Sequence, residues 1–173
     1  MFGLRGAARE AAVAKLEAWL GNNAPSLLGL LNPPATVEAV AAFEFRTSLT
    51  LPPDARRLYA LHDGEASGSD GIFGCQLWLP LAVVAEEVEL IGSEGIVPFL
   101  RSGGGDLLYV KAGGSADRRV FEWWHESPED AVVVAENLEA WLSEFVARVQ
   151  AGQYAYRPDE LAALIDRREL AEE

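Results

Sequence analysis

The chain has 173 residues, and its 14 Lys and Arg against 27 Asp and Glu give a formal charge of −13 at pH 7. Half of the residues are hydrophobic and 24% are charged, which indicates a globular protein rather than a disordered one. At about 150 residues per domain this length predicts one domain. The single cysteine, Cys75, excludes an internal disulfide and a multi-cysteine zinc site.

The negative charge also narrows the range of partners. Phosphate groups recruit Lys and Arg, so we expect neither nucleic acid nor an anionic membrane surface to bind. The first residues lack the continuous apolar run of a signal peptide, and no later stretch approaches the roughly 20 apolar residues of a membrane span. These patterns favour a cytoplasmic location. A basic protein partner would be attracted, although an acidic surface that serves only solubility explains the same charge.

Helical periodicity dominates the first third of the chain. A first helix, ending near Gly21, has one apolar stripe formed by Val13, Leu16, Trp19 and Leu20. Thr36 is the predicted N-cap of the next helix, whose buried stripe is predicted to be Val37, Val40, Ala41 and Phe45. Pro52 and Pro53 begin a further helix, which Gly64 is expected to cap.

Strand and turn patterns follow from about residue 70. Aromatic or β-branched runs separated by Gly, Ser and Asp predict strands at 72–73, 77–79, 96–100, 107–110, 120–124 and 131–134. A short acidic helix is predicted at 81–90, and helical periodicity returns from Asn137 to Gly152. Pro158 is predicted to begin a last helix that carries Leu161, Leu164 and Ile165, so residues 154–173 form a helical extension that could detach.

This order of elements predicts the fold class. Helices, then antiparallel strands, then helices indicate one α+β domain over residues 1–173, with a mostly antiparallel sheet of about five or six strands. Helices from both chain ends are expected to pack together beside the sheet. Their contact is expected to bury Trp19, Trp141 and Phe145.

Three residues have side chains suited to catalysis, namely His62, Cys75 and His125. The chain has no nucleophile elbow of the G-x-S-x-G type, and Cys75 lies among apolar residues typical of a buried, inert thiol. We therefore expect no catalytic residues and no convergence of the three. A small hydrolase or ligand-binding enzyme that uses them remains the alternative from another functional class.

Two segments superficially resemble ligand loops. Residues 63–68 have oxygen-bearing side chains at calcium-loop positions, but Gly74 stands where the bidentate Glu is needed. Residues 102–105 are rich in glycine, yet they precede a strand rather than a helix and so predict a tight turn. We expect no metal and no cofactor.

A partner-binding surface is predicted where acidic stretches flank strands that carry tryptophan. If these stretches lie on one side of the sheet, they form an anionic surface with an aromatic centre. The residues of this predicted site are Asp63, Glu65, Asp70, Trp78, Glu86, Glu87, Trp123 and Trp124, with Glu94 beside them. Trp123 and Trp124 point to opposite faces of a strand, so one is expected in the core and the other exposed. The alternative is an acidic, solvated surface without an organised site.

The order of short motifs carries a resemblance. Leu51-Pro52-Pro53-Asp54 is followed by His62-Asp63-Gly64, then by Gly71-Ile72-Phe73-Gly74 and Leu77-Trp78-Leu79-Pro80-Leu81, then by Gly104-Gly105-Asp106 and a strand that reaches His125. Over about residues 10–150 this order resembles the SUKH superfamily, which includes bacterial immunity proteins and fungal cell-wall assembly regulators. The resemblance implies an α+β fold and a role in binding proteins rather than in catalysis.

Physical reasoning assigns mostly structural roles to the matched residues, which also include Phe43-Glu44. Glu44 and Asp63 are expected to cap or bridge elements, Pro52 to start a helix, and Gly64 and Gly105 to permit turns. Many bacterial members of the superfamily neutralise toxins, often nucleases or deaminases, by covering them. The expected function is therefore a non-catalytic, intracellular protein that binds a basic toxin domain. A regulatory scaffold without a toxin partner is the alternative.

Overall fold

The computed structural model describes residues 3–92, 95–158 and 162–168, with the backbone alone for residues 3–9, 69–70, 128–129 and 162. The helices of the described residues are α1 (Gly3–Asn23), α2 (Pro25–Leu28), α3 (Val37–Thr47), α4 (Pro53–Tyr59), α5 (Leu81–Ile91) and α6 (Leu138–Gln150). The strands are β1 (Ser69–Gly71), β2 (Gln76–Trp78), β3 (Ile96–Ser102), β4 (Leu107–Lys111), β5 (Val120–Trp124), β6 (Ser127–Ala135), β7 (Tyr154–Arg157) and β8 (Ala162–Asp166).

Local capping signals in the sequence set several helix starts. The Thr36 side chain accepts a hydrogen bond from the Ala39 amide (3.1 Å), and the Asn137 side chain accepts one from the Ala140 amide (2.9 Å). Each cap satisfies an amide in the first turn that has no partner within its own helix. The helix α4 begins at Pro53, where a missing N–H removes no helical bond.

The main sheet has five antiparallel strands in the order β2-β3-β4-β5-β6, and a second sheet has the order β1-β8-β7. The predicted α+β class with a mostly antiparallel sheet is confirmed. Among the strands of the described residues, only β1 and β8 pair in parallel. Because β6 is the last strand of the main sheet, one side of its backbone has no neighbouring strand in the described part of the chain.

The register assigns side chains to the two faces of the main sheet. Tyr109 lies opposite Phe121, and Phe121 lies opposite Val133, so these three share one face. The other face carries Leu108, Val110, Val120, Glu122 and Val132. We call this second face the α6 face, because Leu108 and Glu122 line a cleft together with residues of α6.

The helices from the two ends of the chain pack against each other, as predicted, through α1 and α6. Most of the apolar stripe of α1 is buried, and so is Phe145 of α6. Trp19 and Trp141 are only partly buried and lie at the margin of the core.

The side of α3 that is buried differs from the predicted one. Val37 is 81% exposed and Phe45 is 91% exposed, whereas Val40 and Phe43 are buried. The helix is apolar on two sides, so the period alone does not decide which side packs. The side that contains Val40 and Phe43 joins the core, and α3 packs against α5.

The predicted C-terminal helix is wrong, because residues 154–157 and 162–166 form the two strands of the hairpin β7–β8, and Leu161 lies outside the described residues. Ala163 and Leu164 are both buried, and β8 pairs with β1 more than ninety residues earlier in the chain. Short apolar runs are ambiguous between helix and strand. The distant pairing with β1 decides for the strand, so this segment is docked rather than detached.

Candidate partner-binding surface

Asp63 connects two elements and caps a helix. Its side chain accepts a hydrogen bond from the Leu81 amide at the start of α5 (2.8 Å), and its carbonyl accepts one from the Asn32 side chain (2.8 Å). Glu44 acts similarly, since its side chain accepts hydrogen bonds from the Leu51 amide and from Arg56. Both carboxylates therefore bridge elements, as expected.

Gly64 lies where two segments of backbone approach closely. A Cβ atom at this position would lie 2.5 Å from the Pro80 nitrogen and 2.6 Å from the Leu79 carbonyl carbon. Its φ of +67° also favours glycine. The predicted capping role is wrong, because α4 already ends at Tyr59. Gly64 instead allows the loop to pass against the start of α5.

Glu65 and Trp78 lie inside the molecule. Glu65 is 3% exposed, and its carboxylate accepts hydrogen bonds from the amides of Ile72 (3.3 Å) and Trp78 (3.2 Å). Trp78 is 2% exposed and packs against Tyr59 and Phe73, with ring centroids 6.0 and 5.9 Å apart. Their predicted place on a binding surface is therefore corrected, because a partner cannot reach them in this fold.

The second acidic stretch is also divided. Glu87 is buried and forms an ion pair with Arg101 of β3, while Glu86 is exposed and lies 3.9 Å from Arg46 of α3. The side chain of Asp70 and the whole of Glu94 lie outside the described residues. Because Glu65, Glu87 and Trp78 are buried, these three residues do not contribute to the predicted anionic surface with an aromatic centre.

The two adjacent tryptophans of β5 are both accessible. Trp123 lies opposite Leu107 and is partly buried, whereas Trp124 is 45% exposed. The expected exposed member is therefore present, but the other member is not a core residue. Trp124 is the one tryptophan of the predicted site that is classed as exposed.

A cluster of exposed apolar side chains lies on the last two strands of the main sheet, β5 and β6. We call Trp124 together with Val132, Val133 and Val134 the apolar edge; the three valines lie on β6 and are between 37% and 45% exposed. Val132 is on the α6 face and Val133 on the opposite face, so the cluster is accessible from both sides of the strand. Sequence reasoning missed this site, because four consecutive apolar residues are typical of a strand covered on both faces.

The turn next to Trp124 is fixed by a pair of side chains. The His125 ring (Nδ1, 2.9 Å) and the His125 amide (3.2 Å) both donate to Asp106. The hydrogen bond from the His125 side chain lowers the pKa of the Asp106 carboxyl. Gly105, with φ of +96°, lies in the β3–β4 turn, and a Cβ atom at this position would lie within 4 Å of the His125 ring. The Gly-Asp turn and His125 of the motif order therefore hold the β5–β6 turn in place.

The three residues considered for catalysis have separate surroundings. The two ring nitrogens of His62 face the Asn32 carbonyl (2.7 Å) and the Glu17 carboxylate (2.8 Å). Cys75 lies in the turn before β2, with its Sγ 3.9 Å from the Leu164 carbonyl. Within the described residues, no group of three or more His, Cys, Asp or Glu side chains is placed to hold a metal ion.

None of the helices in the described ranges is long and apolar enough to cross a membrane.

Comparison with known proteins identifies the family. No curated protein matches the chain. The family model of the SMI1 / KNR4 family (SUKH-1) matches residues 34–144. This family is generally non-catalytic and has protein-binding roles of the immunity or regulatory kind. This span runs from the residues before α3 into α6 and includes both the Asp63–Pro80 segment and the apolar edge. The chain therefore belongs to the SMI1 / KNR4 family (SUKH-1).

Proposed function

We propose that this protein neutralises a toxin by binding directly over it, without catalysis, in the cytoplasm. The observation that carries the proposal is the apolar edge. Open sheet edges are normally blunted by charged residues or proline, because an exposed apolar strand invites other chains to pair with it. The first half of β6 contains such residues, Pro128, Glu129 and Asp130, whereas its second half and the end of β5 expose three valines and Trp124, as at a protein-binding site.

The composition of the apolar edge suits a tight contact. Tryptophan is enriched among the few interface residues that contribute most binding energy. The β-branched valines of β6 have little side-chain entropy to lose on binding. The Asp106–His125 pair holds the turn beside Trp124, so this anchor is already positioned before a partner arrives.

The charge of the protein indicates the nature of the partner. Exposed acids, Glu126, Asp130 and Glu136, follow the same turn and strand as the apolar edge. With a chain charge of −13, they would accelerate association with a basic protein. A toxin that cleaves or modifies nucleic acid needs a cationic groove for phosphates, and such a groove is a suitable surface for this domain to cover.

The test is a pull-down with the product of the neighbouring gene, followed by calorimetric titration and an assay of toxin activity. We expect a stoichiometric complex in which toxin activity is lost. Trp124→Ala should weaken the complex about 30-fold, which corresponds to about 2 kcal/mol. Phe45→Ala is the matched control, since it removes an even more exposed aromatic ring from α3.

Two results would overturn this proposal. One is the absence of any complex with the neighbouring product. The other is a complex that tolerates Trp124→Ala but is weakened by Phe45→Ala, which would place the interface on α3.

A regulatory scaffold is the second candidate, and a different observation favours it. Val37 and Phe45, eight residues apart on one side of α3, form an exposed apolar stripe, and Leu90 of α5 is also 80% exposed. This stripe belongs to α3, which packs on α5 beside β3, whereas the apolar edge lies at β6. Two separate apolar surfaces suit a protein that holds two partners at once. A ternary complex, in which Phe45→Ala releases one partner and Trp124→Ala the other, would favour the scaffold.

A further inference from the structure

A cleft of about 310 Å³ opens between the α6 face of the main sheet, α6 and the β7–β8 hairpin. This volume is at the low end of the roughly 300–1,000 Å³ typical of ligand pockets. It suits one long side chain or a small molecule better than a large cofactor.

Four aromatic side chains line the cleft; Phe73, Phe145 and Tyr154 are at most 7% exposed, so Trp141 presents the most accessible ring. Phe73 lies 5.3 Å from Trp141 and 4.9 Å from Phe145, measured between ring centroids, and Phe145 lies 5.0 Å from Tyr154. Trp141 is only partly buried, so its indole is accessible from the cleft. Aromatic faces attract cations through their negative electrostatic surface.

The charged groups of the cleft fall into two sets. Asp166 is paired with both Arg168 and Arg148, and the Arg168 guanidinium, assisted by Arg148, holds the pKa of the Asp166 carboxyl well below its ordinary range. Glu122 and Glu144 also line the cleft, but neither has a cationic partner among the described residues. The two arginines are therefore engaged by Asp166, while two carboxylates remain available.

The cleft is continuous with the apolar edge. Val134 belongs to the apolar edge and also lines the cleft, and Glu122 lies directly opposite Val132 in the sheet. A protein that covers the apolar edge is therefore placed to insert a side chain into the cleft.

We propose that this cleft receives an arginine side chain of the protein partner, with the guanidinium against the Trp141 ring and between Glu122 and Glu144. Arginine fits better than lysine, because its flat guanidinium stacks on aromatic rings and presents several N–H donors to carboxylates. The assignment to the partner rests on the proposed function. The chemistry of the site rests only on the cleft.

The first experiment uses a small probe and needs no toxin. The ¹⁵N-labelled full chain is titrated with N-acetyl-arginine-N-methylamide while the Trp141 indole N–H signal is followed by NMR. We expect a saturable shift with a dissociation constant on the order of millimolar, suitable for a single side chain. The citrulline analogue, which has nearly the same shape without the charge, should bind at least about fivefold more weakly.

Variants identify the carboxylates responsible. The double variant Glu122→Gln/Glu144→Gln should weaken arginine binding at least about fivefold and leave the citrulline analogue unaffected. The control Glu38→Gln/Glu86→Gln removes the same charge from exposed positions on α3 and α5 and should not change binding. Equal binding of both analogues, no saturation, or equal loss in the two double variants would overturn the inference. So would a shift of Trp141 by phosphate rather than by arginine, which would show an anion site at Arg148 and Arg168.

The complex provides the second experiment and separates the two proposals. With the neighbouring toxin, Glu122→Gln/Glu144→Gln should weaken binding about tenfold. If Trp124→Ala weakens the complex but the probe does not bind, the cleft inference fails and the proposed function stands. If the probe binds but no neighbouring product does, the proposed function fails and so does the assignment of the arginine to that partner.

Discussion

The Asp63–Pro80 segment and the apolar edge use residues in opposite ways. In the segment, an acidic residue and a tryptophan are buried. Glu65 accepts hydrogen bonds from two backbone amides, and Trp78 packs in the core. At the apolar edge, a tryptophan and three valines are exposed. Residue type alone would assign the acids to the surface and the valines to the core. The comparison shows that the family motif in the segment maintains the fold, while the exposed apolar side chains lie elsewhere.

The largest difference between the two regions is expected at Gly64. Gly64→Ala should lower the free energy of unfolding by at least about 3 kcal/mol, because the new Cβ would overlap backbone atoms of Leu79 and Pro80 at a positive φ. Gly92→Ala is the matched control, with φ of +61° but no atom of the described residues within 4 Å of the new Cβ, and should lose about 1 kcal/mol. Urea unfolding measures both. Equal losses would show that the close approach at Gly64 does not matter.

An intermediate effect is expected at Glu65. Glu65→Ala leaves the amides of Ile72 and Trp78 without this acceptor, and we expect a loss of about 2 kcal/mol in urea unfolding. Glu86→Ala, which removes an exposed carboxylate, should change stability by less than about 0.5 kcal/mol. A similar small value for both would mean that the buried carboxylate does not stabilise the segment.

The smallest effect is expected at the apolar edge. The double variant Val132→Thr/Val133→Thr should change the free energy of unfolding by less than about 0.5 kcal/mol, since both side chains are already exposed. Val120→Thr, at a fully buried position of β5, should lose about 2 kcal/mol, because its hydroxyl would enter the core. If the double variant unfolds as easily as Val120→Thr, the apolar edge is part of the core and not a binding surface. The same double variant should weaken the toxin complex.

Features governed by neighbouring residues were predictable from the sequence. The caps at Thr36 and Asn137 and the start of α4 at Pro53 depend on one turn of chain, and they lie where the pattern places them. The alternation of apolar runs and turns likewise predicts most strands of the main sheet.

Features governed by distant contacts were not predictable in the same way. Whether Val37 or Val40 is buried depends on how α3 packs in the assembled core, and whether β6 is covered depends on the order of strands. The hairpin β7–β8 depends on the open edge of β1. For the candidate site, Trp124 was identified from the sequence, whereas the three valines required the knowledge that β6 is the last strand of its sheet.

The pairing of β1 with β8 has a consequence for the time course of folding. Joining strands more than ninety residues apart closes a long loop, and contacts of such separation form late when folding begins with local structure. During synthesis, β1 has no partner strand until residues 162–166 have left the ribosome. Until then Asp166, which engages Arg148 at the cleft, is also missing. The main sheet can therefore form before the cleft is complete, and arginine capture would be acquired last.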